Sequence, residues 1–160
     1  MAESDRSHDV HHIKPFRSFH SPEQANRLNN LVTLCSRCHH RAETTVRVRS
    51  GLSGLAFVLR HIAPLFLMCD TRDIGMHTDP ESSLTNGKPT IVLYDQIPAG
   101  IGFSQRLFEL HNDLMIRSQE LISVCECNDG CPSCVGPGGE NGSGGKLETL
   151  AILQILTGPI

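Results

Sequence analysis

Nowhere in the 160 residues does an apolar run reach the length of a membrane-crossing helix, which needs about 20 consecutive apolar positions. The polar start Met1-Ala-Glu-Ser-Asp-Arg6 lacks the apolar centre of a secretory signal. The expected setting is therefore a reducing, cytoplasmic one, where seven cysteines point to metal rather than to disulfides. A nucleotide loop is missing as well. Gly142-Ser-Gly-Gly-Lys146 approaches the phosphate-binding pattern, but Glu140 stands where its first glycine belongs and Leu147 where Ser or Thr belongs. That excludes an ATPase within these residues. No Cys₂His₂ helix with base-reading positions occurs either, which argues against a transcriptional zinc finger.

What the chain does contain is four thiols within ten residues, Cys125, Cys127, Cys131 and Cys134. Cysteines this close cannot pair as unstrained disulfides at a C-x-C spacing. They do suit Zn²⁺, which takes four soft ligands at tetrahedral corners, and a full cysteine set leaves no open position for a substrate. Gly130 permits the bend between the two pairs and Pro132 stiffens the second. The expectation is one structural zinc.

Net charge is only −3, but it is unevenly spread. Residues 1–50 hold eight Lys/Arg against five Asp/Glu, a surplus of +3, and six of the nine histidines. Residues 51–160 hold six against twelve, a deficit of −6. Two modules are expected, 1–48 and 49–160, with the basic one facing an anionic partner. In the first, Asp9-Val-His-His-Ile13 reads as a short strand, and Pro15 and the polar residues 18–30 read as a loop. Leu31-Val-Thr-Leu-Cys35 reads as a second strand, and Ser36 caps a helix to about Thr45. This order sets His11 and His12 opposite His39 and Glu43, which are one helical turn apart.

Arg49-Ser-Gly-Leu-Ser-Gly54 reads as the junction, followed by a helix over 55–63 stopped by Pro64 and a buried strand over 65–69, in which Cys69 packs as a small hydrophobe. A turn over 70–75 and a loop over 80–89 lead into a strand over 90–94. The glycine turn over 95–102 opens one long helix from about Phe103 to Val124, whose chain runs into the zinc loop. That turn reads as a plain tight turn in preference to a phosphate cradle. The six glycines of 136–145 predict mobility, and a final helix is expected from Lys146 to about Leu156. The expected fold class is α+β: a small strand–strand–helix module followed by an α/β zinc-binding domain with a four-cysteine loop.

The first module resembles the HNH endonucleases of the ββα-metal fold. The resemblance is carried by Asp9-Val-His11-His12-Ile13-x-Pro15 and by Leu28-Asn-Asn30-Leu31-x-x-Leu34-Cys35-x-x-Cys38-His39. It implies that His12 is the general base and that His11 and His39 hold a divalent ion, Mg²⁺ or another. It further implies that Asn30 braces the loop orienting the base and that Asp9 is a further ligand or orienter. Such domains carry an earlier C-x-x-C about twenty residues before the histidine pair. None precedes His11 here, so Cys35 and Cys38 are expected to be half of a zinc knuckle: the chain is a fragment, a partner supplies the other ligands, or the knuckle has decayed.

The chemistry is independent of the resemblance. Phosphodiester hydrolysis needs an activated water, a task suited to imidazole, and a cation beside the leaving oxygen. Lys14, Arg17, Arg27, Arg37 and Arg41 are candidates for gripping DNA phosphates. An arginine taken alone is more often a solvated charge, and so are His8, His20 and His40, which receive no role.

Residues 51–160 resemble the zinc-binding C-terminal domain, DUF1998, of DEAD/DEAH-box helicases. The matching stretches are Gly51-Leu-x-Gly-Leu55, Met68-Cys-Asp70-x-x-Asp73-Ile74, Leu93-Tyr-Asp95-x-x-Pro98-x-Gly100-Ile-Gly102-Phe and the four-cysteine loop. Ala99 replaces a common glycine. The resemblance implies a helicase motor in the same or a partner chain. Two functions follow as expectations: a metal-dependent DNA endonuclease coupled to a helicase-type zinc domain, or a non-catalytic DNA- or partner-binding accessory.

Overall fold

A computed structural model describes residues 8–14, 16–97, 100–136 and 145–158. Strands β1 (His8–His12) and β2 (Leu31–Cys35) pair antiparallel, with His8 opposite Cys35 and His12 opposite Leu31. The connection between them carries the short helix α1 (Pro22–Ala25), whose N-cap Ser21 accepts from the Gln24 N–H. Helix α2 (Ser36–Leu67) follows β2 directly. Its 32 residues span about 48 Å at 1.5 Å per residue.

Residues 49–54, expected to form a junction, lie inside α2 and are mostly buried. Their glycines serve close packing rather than chain flexibility. A Cβ on Gly51 would come within 2.9 Å of the Glu148 carbonyl oxygen, and one on Gly54 within 2.1 Å of Thr149 Oγ1. Both neighbours belong to helix α5 (Lys146–Thr157), which crosses α2 here. Thr149 Oγ1 donates to the Gly145 carbonyl at 2.7 Å and also lies 3.3 Å from the Gly51 carbonyl across that crossing.

The helix also outruns Pro64. Proline lacks only its own N–H donor, and so close to a helix end the chain completes one more turn before Met68 stops it in the left-handed region, φ 53°. The strand expected at 65–69 is that last turn, and Leu65 is 75% exposed. Cys69 packs partly against the core as expected, and burial pushes its thiol pKa up. By length and composition α2 could cross a membrane, with mean hydropathy 1.4 over its most apolar window. However, 61% of that window is buried inside the protein.

The rest of the fold encloses the second half of α2. Strands β3 (Ile74–Ser82) and β4 (Lys88–Asp95) form an antiparallel hairpin, so much of the loop expected over 80–89 is strand. Its connection is a 3-10 turn over Ser83–Thr85 closed by Asn86 and Gly87 at φ 55° and 78°, with the Gly87 N–H donating to the Ser82 carbonyl at 2.8 Å. The long helix expected over 103–124 is two, α3 (Phe103–Glu109) and α4 (His111–Val124). They are nearly continuous, because Leu110 leaves helical geometry yet still donates to Arg106 and accepts from Leu114. Leu55, Val58, Leu59 and Ile62 of α2 form the core with Ile74, Leu107, Leu114, Ile122 and Leu153. The mobility expected for 136–145 falls mainly on 137–144, outside the described residues. The architecture is α+β, two small antiparallel sheets joined by one long helix.

Candidate metal centres

Helix α4 ends at Val124 and releases the chain into the four-cysteine loop. Gly130 sits at φ 116°, the bend expected from its sequence position. Sγ of Cys125 lies 3.5 Å from those of Cys127 and Cys131, and Cys134 lies 3.5 Å from Cys127 and 3.6 Å from Cys131. All four sulfurs fall within 4.8 Å of one another. A tetrahedron with Zn–S near 2.3 Å has edges of about 3.8 Å, so the four thiols fit zinc. Burial, then the neighbouring thiols, push Cys127 up to about 12, while the Ser133 N–H lowers Cys131 to about 7. Four crowded sulfurs thus hold their protons unequally until a cation replaces them. Lys146, at the start of α5, is buried, and its ammonium donates to the carbonyls of Cys125 and, at 2.8 Å, Cys127. A buried ammonium beside a site that becomes anionic with zinc is favourably placed.

The glycine turn before α3 holds an anion already. Asp95 Oδ2 accepts from the N–H groups of Ile101, Gly102 and Phe103 at 2.9, 3.0 and 3.3 Å, and Oδ1 accepts from Ser104 at 2.7 Å. Partial burial opposes ionisation of Asp95, but the donors prevail and hold it below the usual carboxylate range. These amides are engaged by the chain's own carboxylate, in keeping with the tight turn read from the sequence.

The second centre lies where β1 meets the first half of α2. A cleft of ≈ 650 Å³ is lined by Val10, His11, His12, Ile13, Phe16, His39, Glu43, Val46 and Arg47. The His11 and His39 rings meet edge-on with centroids 5.2 Å apart, and His39 Nε2 lies 3.5 Å from Glu43 Oε1. Asn30 is buried and binds main chain on both sides. Its Nδ2 donates to the carbonyls of Ala25 (2.8 Å) and Lys14 (3.1 Å), and its Oδ1 accepts from the Lys14 N–H at 2.8 Å. Asn30 therefore ties the end of β1 to the loop after it. His12 Nε2 donates to Asn26 Oδ1 at 2.9 Å, a partner that sequence reading left unassigned. With Nε2 carrying the proton, Nδ1 is the free base.

Not every expected residue converges. Asp9 pairs with Leu34 on β1 and is not among the residues lining the cleft. Among the described residues no third ligand atom joins His11 and His39 within 4.8 Å, and none joins Cys35 and Cys38. Both thiols are exposed at the start of α2, where the Cys38 N–H lowers the pKa of Cys35 and Cys35 raises that of Cys38. Lys14, Arg27, Arg37 and Arg41 are exposed around the module but do not line the cleft. The side chain of Arg17 is outside the described residues. The arginine that lines the cleft is Arg47. It was legible as the third member of an i, i+4, i+8 series with His39 and Glu43.

The two halves define a class: a ββα module of the HNH type carried on a helical domain with a four-cysteine metal loop. Family models agree, that for HNH endonucleases matching residues 2–45 and that for the MrfA Zn-binding domain matching 55–135. The chain belongs to the MrfA Zn-binding domain family. It is 42% identical over 85 residues to the uncharacterized ATP-dependent helicase YprA of Bacillus subtilis, covering 53% of this chain and 11% of that one. It is 34% identical over 76 residues to the uncharacterized protein MJ1572.1 of Methanocaldococcus jannaschii, covering 46% of this chain and 68% of that one. Among solved structures it resembles the DUF1998 helicase MrfA bound to DNA, with a TM-score of 0.62 and 35% identity over 69% of this chain and 14% of that one. The complex of MrfA with DNA and AMPPNP gives 0.57 and 37%, over 66% and 14%. The chain thus spans only 11% to 14% of the length of these helicases.

Proposed function

We propose that this chain is a metal-dependent DNA endonuclease module built onto a helicase-associated zinc domain. The observation that carries the reading is the cleft in which His11 and His12 of β1 face His39 and Glu43 of α2, with Asn30 bracing the base-bearing strand. His12 takes the proton of the attacking water on Nδ1, since Asn26 occupies Nε2. His11 and His39, with Glu43 beside them, would hold a divalent ion that supplies charge compensation for the leaving oxygen. Exposed Lys14, Arg37 and Arg41 bind phosphates without reading sequence. The similarity to MrfA, solved with DNA, supports a DNA partner and a helicase motor in the same or a companion chain. A role in repair or defence is part of the proposal. Four of the seven cysteines offer a zinc ligand set, a use of cysteine that supports a reducing, cytoplasmic setting.

A second reading is favoured by one observation, that Asp9, His11 and His39 do not form a three-ligand set. In that reading the module binds DNA or the motor without cutting. A plasmid-cleavage assay across Mg²⁺, Mn²⁺, Zn²⁺ and Ni²⁺ separates the two. The endonuclease reading expects metal-dependent cutting that His12→Ala reduces by about 10²–10⁴, the usual loss of a positioned base, with DNA affinity nearly unchanged. A wild-type chain that binds DNA yet cuts no form of it with any of these ions establishes the accessory reading.

A further inference from the structure

Resting on the reading of the cleft as a phosphodiester site, we infer that Arg47 is a binding site for a flanking DNA phosphate and that Glu148 of α5 is its resting partner. His39, Glu43 and Arg47 rise along one face of α2 at successive turns, and all three line the cleft. Eight residues separate His39 from Arg47, about 12 Å along the helix axis. One strand of duplex DNA carries a phosphate about every 3.4 Å of axis rise. A backbone with its scissile phosphate beside His39 therefore presents another phosphate, a few nucleotides away, at Arg47.

The state of Arg47 without DNA suits this role. Its side chain is 70% exposed, and its Nε stands 3.7 Å from Glu148 Oε1, an ion pair at the long end of the range. A solvated pair of this kind is worth little, so a phosphate displaces it readily. Glu148 is the better anchored partner, 20% exposed on the first turn of α5, which Gly51 and Gly54 hold against α2. Its carboxylate competes with DNA for the guanidinium. The zinc-bearing half of the chain thereby supplies an ion-pair partner to a cleft residue of the other half, without itself lining the cleft.

The test measures binding of a fluorescein-labelled 20-base-pair duplex by the full-length chain in a His12→Ala background, titrated with salt, with zinc content as the folding control. Arg47→Ala should weaken binding several-fold and lower the slope of log K against log salt by about 0.9, one phosphate contact. Arg47→Lys should restore most of the slope, and Glu148→Gln should tighten binding by freeing the arginine. With His12 intact, Arg47→Ala should raise KM more than it lowers kcat. Unchanged affinity and slope in Arg47→Ala, or no DNA binding by the parent, overturns the inference. If Arg47 shapes binding while the wild-type chain cuts nothing, the hydrolysis reading falls and the phosphate site stands. If the chain cuts and Arg47→Ala alters neither binding nor KM, the reverse holds.

Discussion

Asn30 and Asp95 show how single side chains hold this molecule's loops by satisfying main-chain groups. Asn30 engages two carbonyls and one N–H, all within the base-bearing module. Asn30→Ala leaves the buried Ala25 carbonyl and two part-buried Lys14 groups without this partner, and a buried unsatisfied group costs about 1–3 kcal/mol. Faster proteolysis within residues 8–35 at unchanged zinc content is the expected result, and equal protease resistance would contradict it. Asp95 makes a different prediction, because its carboxyl is held below the usual range by the amides that open α3. A depressed folded-state pKa contributes stability that is complete above the unfolded value of about 3.9 and is lost as pH falls through the folded value. Asp95→Asn should therefore lower Tm at neutral pH, and the gap to wild type should close below about pH 4. A gap independent of pH from 7 to 3 would show that ionisation of Asp95 is not what holds the turn.

At the scale of elements, α2 was the hardest to read and decides the most. The strands β1 and β2 were legible because each is a short β-branched or apolar run beside turn residues, and the cysteine loop because all its ligands lie within ten residues. Ser50-Gly-Leu-Ser-Gly54 reads as a linker by composition, since glycine and serine are poor helix interiors. Their reason for being there lies about a hundred residues away in α5, where Glu148 and Thr149 need a neighbour without a Cβ. The partners Asn26 for His12 and Glu148 for Arg47 were hidden for the same reason, each being set by folding rather than by spacing. The α2–α5 crossing gives a test with opposing terms. Gly54→Ala gains up to about 1 kcal/mol of helix propensity. It also forces a Cβ to 2.1 Å from Thr149 Oγ1 and 3.2 Å from Val135 Cβ, an overpacking that typically costs about 1–3 kcal/mol. The clash should win, with a lower denaturation midpoint. A stabilised Gly54→Ala would mean that the crossing is looser than described here.

For the whole molecule, the zinc loop is where three separate elements meet. It begins where α4 ends, its Cys134 and Val135 lie in the core beside α2, and the carbonyls of its first two cysteines accept from Lys146 of α5. Removing the metal leaves four crowded thiols with no cation among them and loosens the carbonyls that hold the buried ammonium. Structural zinc sites contribute their binding free energy to folding, apparent values reaching about 10–16 kcal/mol in zinc-finger peptides, more than a small domain's whole stability. Purified protein should carry at least one equivalent of zinc. Cys131→Ser or a strong chelator should then raise hydrogen exchange in the loop, in α5 and in the α2 residues around Gly51 and Gly54. The β1–β2 pair shares its cleft with α2 residues from His39 to Arg47, which precede that crossing in the chain, so its exchange should rise least. Lys146→Met separates metal from clasp: it keeps the four thiols and their zinc but should raise exchange at the start of α5. Full protection of α5 after the zinc has been shown to be gone would mean that apolar packing alone, through Leu153 and its neighbours, holds the second half of the fold together.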